Sequence, residues 1–545
     1  MQFNLIDEPW IPVRRQDGTK TKIAPYEVSG QFKENPVMSL DAPRPDFNGA
    51  LIQFLIGLVQ TVAAPQNRAE WHKRLIEPPS PEELKAAFSS VHHAFEFGGD
   101  GPRFMQDYES IAADDSDVDG LFIETPGQNA LVNNTDHFIK RHTVSGLCPS
   151  CCATALFAFQ TNAPAGGQGY MTSLRGGGPL TTLVVGDNHH NTLWQLIYLN
   201  VLEKGIFNGT SGNPNLLEDK YKFPWLAKTR NGKRRKGGVI YGEDTTPEDA
   251  NPVIMFWAMP RRIRLNLGSL SESACDICGS YSNTIIHTYK EIPGGASCNG
   301  WLHPLSPYYE QTKKGEKSIL PVHAQPSGLT YRHWLGFVIH DDNEKKMPAR
   351  IVHEYYERWR SGWQFRLWAF GYDMDNMKAR CWYESTMPLF CVDNTVRPDY
   401  EERAAGMVKA ATEIASNTRS ALKKAWFRRP SDAKGDTTFV DNSFWQGTEA
   451  EFYLALNDLI SALNTGNDIK EISRQWFSIL CIRSLKIFDD YAWEGPIEDA
   501  DPKRVVIARK ELEQYNRGKK IKELLGIPVE KTTPDKKPKQ RKTRD

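Results

Sequence analysis

The chain has 545 residues, of which 40% are hydrophobic and 25% are charged, and these values are ordinary for a folded soluble protein. This length is too great for a single ordinary core, so we expect two or more domains. The 67 basic residues balance the 67 acidic residues, so no bulk positive charge indicates a nucleic-acid partner. Any binding of nucleic acid must therefore come from local patches.

Patterns in the N-terminal part predict both strands and helices. Residues 2–30 alternate apolar and polar positions around Asp17-Gly18, which predicts a β-hairpin. Helical periodicity follows at 47–62 and, after a Pro-Ser-Pro helix start, at 82–97. Three further elements are expected: a helix at 192–203 and strands at 251–257 and 261–267.

The C-terminal part differs, because helical periodicity continues from residue 400 without strand signals. It is carried by four segments: 400–427, 448–464, 468–488 with its continuation to 493, and 502–525. Four helices with short connections predict a bundle. We therefore expect an α+β protein with three parts: a large mixed α/β domain over 1–395, a four-helix bundle over 396–527 and a disordered basic tail over 528–545.

The N-terminal residues are not expected to form a secretory signal. Residues 1–8 lack the basic and apolar regions of a secretory signal. The most apolar run, 50–64, is too short to span a bilayer and is predicted to be a buried helix. Nine cysteines without a secretory signal indicate reduced thiols and metal binding rather than disulfides. We expect a cytoplasmic protein with no membrane partner.

Two Cys-x-x-Cys pairs are the most distinctive pattern in the chain. They are Cys148-Pro149-Ser150-Cys151 and Cys275-Asp276-Ile277-Cys278. Four thiolates make the closed tetrahedral site that structural zinc prefers, so we predict one zinc ion held by all four cysteines, Cys148, Cys151, Cys275 and Cys278. Two unrelated pairs of reduced thiols remain the alternative, because a zinc ribbon normally has far fewer residues between its pairs.

A zinc site of the cytidine-deaminase type is excluded by the flanking residues. That site needs His-x-Glu and Pro-Cys-x-x-Cys, whereas Phe138 and Ile139 follow His137, and Leu147 precedes Cys148. The sequence therefore gives no support for a catalytic zinc ion of this kind.

Glycine-rich and basic stretches follow each cysteine pair or lie between them. The first glycine run holds Gly166, Gly167, Gln168 and Gly169, and 175–178 reads Arg-Gly-Gly-Gly. No lysine follows at Walker A spacing, so a plain turn and a ligand-facing loop are both open. The basic loop 228–236 is either a solvated turn or a contact to phosphate.

The opening segment Phe3-Asn4-Leu5-Ile6-Asp7-Glu8-Pro9-Trp10-Ile11-Pro12-Val13 closely resembles that of the CasA family. CasA is the large subunit of the type I-E CRISPR Cascade surveillance complex. The resemblance continues in the family order through both cysteine pairs, the glycine run, a late segment at 370–382 and the terminal helices. It therefore covers nearly the whole chain and implies a recognition subunit rather than an enzyme.

The resemblance also implies which residues contact DNA. The run Gly166–Gly169 would approach the minor groove of the PAM, the short duplex motif that flanks the target. Lys290 is the closest match to a lysine finger that reaches the PAM, whereas on the residues alone a lone lysine is usually solvated. Asn376, Met377 and Lys378 stand where the family carries a wedge that starts strand separation. Here Met377 replaces a glutamine and Lys378 replaces a small residue. On the residues alone, this segment is also consistent with a polar hairpin end.

The implied partners and mechanism follow RNA-guided recognition. Phe122 lies on a segment that resembles the loop contacting the guide-bearing complex near the crRNA 5′ end. The expected partners are double-stranded target DNA, the crRNA-bearing Cascade subunits and a helicase-nuclease that performs cleavage. The alternative is a zinc-containing nucleic-acid-processing enzyme. It is disfavoured because four cysteines leave the metal no open coordination position.

Overall fold

The computed structural model of the chain describes residues 1–134, 139, 141–167, 169–186, 191–236, 239–268, 271–313, 315–324, 328–341, 345–358, 363–375, 378–432, 435–495 and 501–528. The chain forms two compact units. The first comprises Met1–Leu329 and His333–Cys391, and the second comprises Thr330–Arg332 and Val392–Asp545. Most of the predicted basic tail, from residue 529, lies outside the described residues.

The helices of the first unit are mostly short, and we number them in chain order. They are α1 Pro45–Val62, α2 Arg68–Ile76, α3 Pro81–Ser89, α4 Gln128–Val132, α5 Pro149–Asn162, α6 Leu193–Leu199, α7 Lys204–Asn208, α8 Ile254–Trp257, α9 Trp334–Phe337 and α10 Arg350–Arg358. The sequence explains the start of α3, where Ser80 and Glu83 form a reciprocal capping box.

The strands of the first unit are β1 Ile11–Arg15, β2 Lys20–Ile23, β3 Val37–Leu40, β4 Ser116–Asp117, β5 Thr181–Gly186, β6 Arg234–Lys236, β7 Val239–Tyr241, β8 Arg262–Leu265, β9 Ser271–Ala274, β10 Tyr281–Ile285, β11 Thr288–Ile292, β12 Tyr308–Lys313, β13 Glu316–Pro321, β14 Lys346–Met347, β15 Phe365–Asp375 and β16 Lys378–Leu389. They form small antiparallel sheets, of which β4-β11-β8 and β16-β15-β5 matter most below. The predicted hairpin is the β1–β2 pair.

An aromatic core surrounds α1, whose residues are buried along most of its length. Phe54 of α1 lies within 6 Å of several other rings, measured between centroids: Trp10, Phe95, Phe104, Phe157 and Trp257. Because α1 also packs against α5 and α6, the helix that carries the first cysteine pair is seated directly on this core.

The second unit is helical across its described residues. Its helices are α11 Arg397–Trp426, α12 Thr438–Thr465, α13 Lys470–Tyr491, α14 Pro502–Asn516 and α15 Lys519–Leu524. The longest, α11, packs against α12, α13 and α14. The chain as a whole therefore has a mixed α+β fold with a C-terminal helical region.

Two predicted elements take a different form. The strand expected at 251–257 is wrong, because Ile254–Trp257 forms the short helix α8 with all four side chains buried; β-prone residues here follow the packing of the core. The helix expected at 502–525 is interrupted after Asn516, since Gly518 has an extended backbone and caps α15. Among the described residues, every helix is too short or too polar to cross a membrane.

Candidate metal centre and nucleic-acid interface

The four predicted metal ligands lie together in the first unit. Cys148 caps α5, Cys151 lies in its first turn, and Cys275 and Cys278 lie on the turn between β9 and β10. All four sulfur atoms lie within 4.8 Å of one another, and Cys148 Sγ is 3.8 Å from Cys278 Sγ. Zn–S bonds of about 2.3 Å would place tetrahedral thiolates about 3.8 Å apart. The donor set and its spacing therefore fit one tetrahedral metal ion.

Contacts outside the sulfur cluster hold the two pairs together. Leu147 and Ile286 exchange backbone hydrogen bonds of 3.0 and 2.9 Å. The Asp276 carboxylate accepts hydrogen bonds from the backbone N–H groups of Ser145 at 2.7 Å and Gly146 at 2.8 Å. The register of the two segments is thus set by hydrogen bonds as well as by the cysteines.

The thiols of the cluster interact strongly enough that they do not ionise independently. Hydrogen bonding to Cys148 and Cys275, together with burial, raises the pKa of Cys151 far above that of an ordinary thiol. Hydrogen bonds from Cys148 and Cys151 lower the pKa of Cys275 below that of an ordinary thiol. A divalent cation would supply the positive charge that favours thiolates at all four positions.

The glycine loop begins just after α5. Gly166 and Gly167 are exposed, whereas Gly169 is half-buried. Gly167 and Gly169 have φ angles of +92° and +90°, in the left-handed region that glycine adopts without strain. Gln168, the remaining predicted contact in this loop, lies outside the described residues. The exposed backbone at Gly166 and Gly167 can be approached closely by another molecule.

Arg261 fixes the base of the glycine loop, a role that sequence reasoning missed. Its guanidinium donates to the Pro164 carbonyl, pairs with Glu291 at 3.2 Å and lies 5.1 Å from the centre of the Tyr170 ring. A Cβ added to Gly166 would lie 2.5 Å from Arg261 Nη1. Burial raises the pKa of Glu291 and lowers that of Arg261. The loop therefore rests on a charged pair that is largely removed from water.

Lys290 lies in β11, directly across from Arg264 of β8. Two residues beyond that strand, the Gly294 N–H donates to the Gly169 carbonyl at 2.8 Å, and Gly294 forms a parallel bridge with Tyr170. Among the described residues, the Lys290 ammonium has no hydrogen bond or ion pair. One backbone contact thus joins the strand that carries the lysine to the glycine loop.

The basic loop at 228–236 is attached to the same place. The Gly232 N–H donates to the Gly295 carbonyl at 2.7 Å. Lys228 and Lys233 are exposed, although Lys228 also pairs with Glu109 at 3.3 Å, and Arg230 pairs with Glu243 and Asp249. The glycine loop, the lysine strand and the basic loop therefore meet at Gly294 and Gly295.

The predicted wedge lies at the end of the β15–β16 hairpin. Lys378 is exposed at the start of β16, whereas Asn376 and Met377 lie outside the described residues. At the base of the tip, Arg380 donates two hydrogen bonds of 2.8 Å to Asp373, whose side chain is 3% exposed. This bidentate pair clamps the two strands where the tip begins.

Phe122 is buried, whereas a residue that contacts another chain must be exposed. Its ring is 6% exposed, stacks on Phe47 at 6.0 Å between ring centres and lies under the Arg44 guanidinium. Arg44 in turn pairs with Asp46 and Glu124. The ring anchors its segment to α1, so any contact with another chain would come from the more exposed residues that follow it.

Comparison with known structures defines the fold. Thermobifida fusca Cse1 is 14% identical, with a TM-score of 0.66 over 97% of this chain and 99% of that one. Thermus thermophilus CasA (Cse1) is 15% identical, with a TM-score of 0.62 over 96% and 99%. A chain of a CRISPR RNA-guided surveillance complex is 15% identical, with a TM-score of 0.61 over 95% and 100%. The α+β architecture is that of the Cse1 structures.

The sequence itself identifies the family. The model of CRISPR-associated protein Cse1 matches residues 4–481, which is most of the chain. The chain belongs to the CRISPR-associated Cse1 family, and the resemblance seen in the sequence is confirmed.

Proposed function

We propose that this chain is the non-catalytic large subunit of a type I-E CRISPR RNA-guided surveillance complex, in which it recognises the PAM in double-stranded DNA and starts target unwinding. Membership of the Cse1 family supports the assignment to such a complex, and one similar chain comes from a surveillance complex. The observation that most supports PAM recognition is the hydrogen bond between Gly169 and Gly294, because this bond joins the glycine loop to the strand of Lys290.

The reading step would use two features of this interface. Glycine backbone at Gly166, Gly167 and Gly169 admits the close approach that a narrow minor groove requires. The Lys290 ammonium, which has no partner among the described residues, would supply positive charge and hydrogen-bond donors. Gln168 would contribute from the same loop. The exposed lysines of the basic loop would add phosphate contacts that position the duplex without specifying its sequence.

The wedge would act next to the PAM. Asn376, Met377 and Lys378 would separate the first target base pairs, with Met377 inserted as an apolar wedge and Lys378 held near phosphate. The clamp between Asp373 and Arg380 supports this role, since a wedge must be rigid at its base. Replacing Met377 and Lys378 with alanine should slow R-loop formation, and unchanged kinetics would remove them from the mechanism.

The metal would be structural. Cys148, Cys151, Cys275 and Cys278 would hold one zinc ion and keep α5 and the β9–β10 turn together, which fixes the loops that follow each pair. Four protein ligands leave no position for a reacting water, so the subunit would not cleave DNA. Cleavage would belong to a helicase-nuclease recruited by the assembled complex. The segment after Phe122 and the four long C-terminal helices, as a bundle, would contact the crRNA-bearing subunits.

The test is reconstitution of the complex with and without this chain. R-loop formation is measured on targets with permissive and non-permissive PAM sequences. PAM discrimination should require the chain, and discrimination that survives its omission would refute the proposal. Degradation or modification of nucleic acid by the purified chain alone would favour the enzyme alternative instead.

A further inference from the structure

A second glycine run, Gly176–Gly178, lies between the glycine loop and the wedge hairpin. From the sequence alone, a plain turn and a ligand-facing loop were both open for it. Each of its glycines packs tightly against a different segment. A Cβ added to Gly176 would lie 2.7 Å from His323 Cε1, and one added to Gly177 would lie 2.8 Å from Pro164 Cα. Both distances are well below an ordinary carbon–carbon contact of about 3.5–4.0 Å.

Gly178 contacts the base of the wedge. A Cβ at Gly178 would lie 2.5 Å from Met374 Cγ and 2.9 Å from the Tyr372 carbonyl oxygen. The φ angle of Gly178 is +58°, which also favours glycine. The contact arises because β5 begins at Thr181 and pairs with Phe370 of β15. The residues just before β5 therefore run beside those that lead to the wedge tip.

Hydrogen bonds tie the same run to the start of the glycine loop. The Gly178 N–H donates to the Asn162 carbonyl at 3.0 Å, and the Ser173 N–H donates to the Ala163 carbonyl at 3.0 Å. Pro164, which contacts Gly177, lies two positions before Gly166, and Met374 lies two positions before Asn376. At 3.8 Å per residue, the residues that the run contacts are within about 8 Å of chain from Gly166 and from Asn376, the nearest predicted DNA contacts.

A buried arginine anchors the run. Arg175, which is 4% exposed, donates to Thr181 Oγ1 at 2.9 Å, to Ser306 Oγ at 3.1 Å and to Gln53 of α1. Among the described residues it has no carboxylate partner. A buried guanidinium held only by neutral acceptors is costly. It fixes the backbone immediately before Gly176 to the core.

We propose that Gly176–Gly178 is a joint that holds the wedge hairpin in register with the glycine loop, so that engagement of the PAM and opening of the first base pairs occur in one fixed geometry. This inference rests on the proposed function. Gly178 and Met374 act as positioning residues, because they act through the two DNA-facing segments. An extra methyl at Gly178 would displace the Met374 side chain, and because it would lie 2.9 Å from the Tyr372 carbonyl oxygen it would also push the two backbones apart by about 0.5 Å to reach an ordinary contact.

The test is Gly178→Ala in the reconstituted complex. R-loop formation should slow about tenfold on an intact target, since a displacement of about 1 Å at an active geometry costs on the order of 10²-fold and the backbone shift here is about half of that. The rate should recover on the same target with its first PAM-proximal base pairs mismatched, because that duplex needs no wedge. Binding to a short duplex that carries only the PAM should stay within about twofold of wild type.

Controls separate this joint from general damage and from failure of the proposed function. Gly526→Ala is the matched control, because Gly526 has a similar φ of +65° and open space around the added Cβ. Met374→Ala loosens the joint from the other side without a steric clash, so it should show the same pattern if Gly178→Ala does not fold. Three results would overturn the proposed joint. They are a loss of PAM binding as large as the loss of base-pair opening, a rate that does not recover on the mismatched target, and R-loop kinetics equal to wild type. Wild-type complex without PAM discrimination would overturn the proposed function instead.

Discussion

The two units are stabilised in different ways. In the first unit, the predicted DNA-contacting segments are a loop, a short strand and the end of a hairpin, and they are connected by a few local contacts, such as the Gly169–Gly294 hydrogen bond and the packing of Gly178 on Met374. The second unit consists of long helices around a continuous aromatic centre, in which Tyr331 stacks on Phe452 at 4.3 Å between ring centres. A single substitution should therefore disconnect one loop in the first unit but weaken the whole of the second.

The largest effect is expected from the cysteine cluster. Replacing Cys275 and Cys278 with serine should abolish metal binding and destabilise the first unit by more than about 4 kcal/mol, because loss of a structural metal is among the most damaging changes. The thermal unfolding transition of the helical second unit should be unchanged. Metal content and calorimetric transitions measure both outcomes.

Two cysteines outside the cluster provide the control for that experiment. Cys381 is exposed and Cys481 is half-buried, so replacing both with serine should leave one zinc ion per chain. Full zinc content in the Cys275 and Cys278 variant, or wild-type stability without metal, would show that the four thiols are not a structural site.

The converse experiment disrupts the second unit. Trp476 is fully buried, and its indole N–H donates to the Met407 carbonyl at 3.2 Å. Trp476→Ala should cost about 3–5 kcal/mol and lower the melting temperature of the helical unit. Metal content should stay at the wild-type value. Simultaneous loss of metal would mean that the two units do not respond separately.

Two bidentate ion pairs allow the stability cost of breaking a buried pair to be compared with that of breaking an exposed pair. Arg380 pairs with Asp373, which is 3% exposed, whereas Arg509 pairs with Asp489, which is 48% exposed. Arg380→Gln should cost about 1–2 kcal/mol, since it leaves a buried carboxylate short of partners. Arg509→Gln should cost less than about 1 kcal/mol. Denaturant titration of both variants tests this order, and equal costs would contradict the role given to the clamp.

A further effect appears only in acid and concerns the stability of the first unit. His303 is 3% exposed, and its Nδ1 accepts a hydrogen bond from the Leu305 N–H at 3.1 Å. Burial and the nearby Arg175 hold the pKa of His303 well below its ordinary value. Below about pH 6.5 the unfolded chain takes up a proton that the folded chain does not. Stability should therefore fall by at most about 1.4 kcal/mol per pH unit.

His303→Gln should remove the part of the acid destabilisation that comes from His303, which is up to about 2 kcal/mol of unfolding free energy between pH 7 and pH 5. His93→Gln is the control, since the His93 side chain is 53% exposed. Denaturant titrations at the two pH values measure the difference. An unchanged pH slope in the His303 variant would show that the folded protein accommodates the charged imidazolium.

Local signals in the sequence were enough to predict several elements. The Cys-x-x-Cys spacing predicted which four residues would come together, although not that Leu147 and Ile286 would hold the segments in register. The Pro-Ser-Pro start predicted α3, because the capping box is encoded within four residues. The whole-chain resemblance predicted the family, which the Cse1 match confirms.

Long-range packing could not be predicted in the same way. The position of Arg261 in the sequence does not show that its guanidinium contacts Pro164 and Tyr170. The glycines at 176–178 are typical of any turn, and only the register of β5 with β15 places Gly178 against Met374. Apolar residues at Ile254–Trp257 predicted a strand, but burial against the core favoured one helical turn. These features depend on partners that are distant in the sequence.

Crosslinking from position 290 tests the central claim most directly. A photoreactive residue replaces Lys290 in the assembled complex, which is bound to a target duplex carrying a permissive PAM, and the crosslinked nucleotides are mapped. Crosslinks should be concentrated in the PAM base pairs, and they should be lost when the PAM is changed to a non-permissive sequence. Crosslinks elsewhere on the duplex, or only to protein, would contradict the claim that the glycine loop and the Lys290 strand recognise the PAM together.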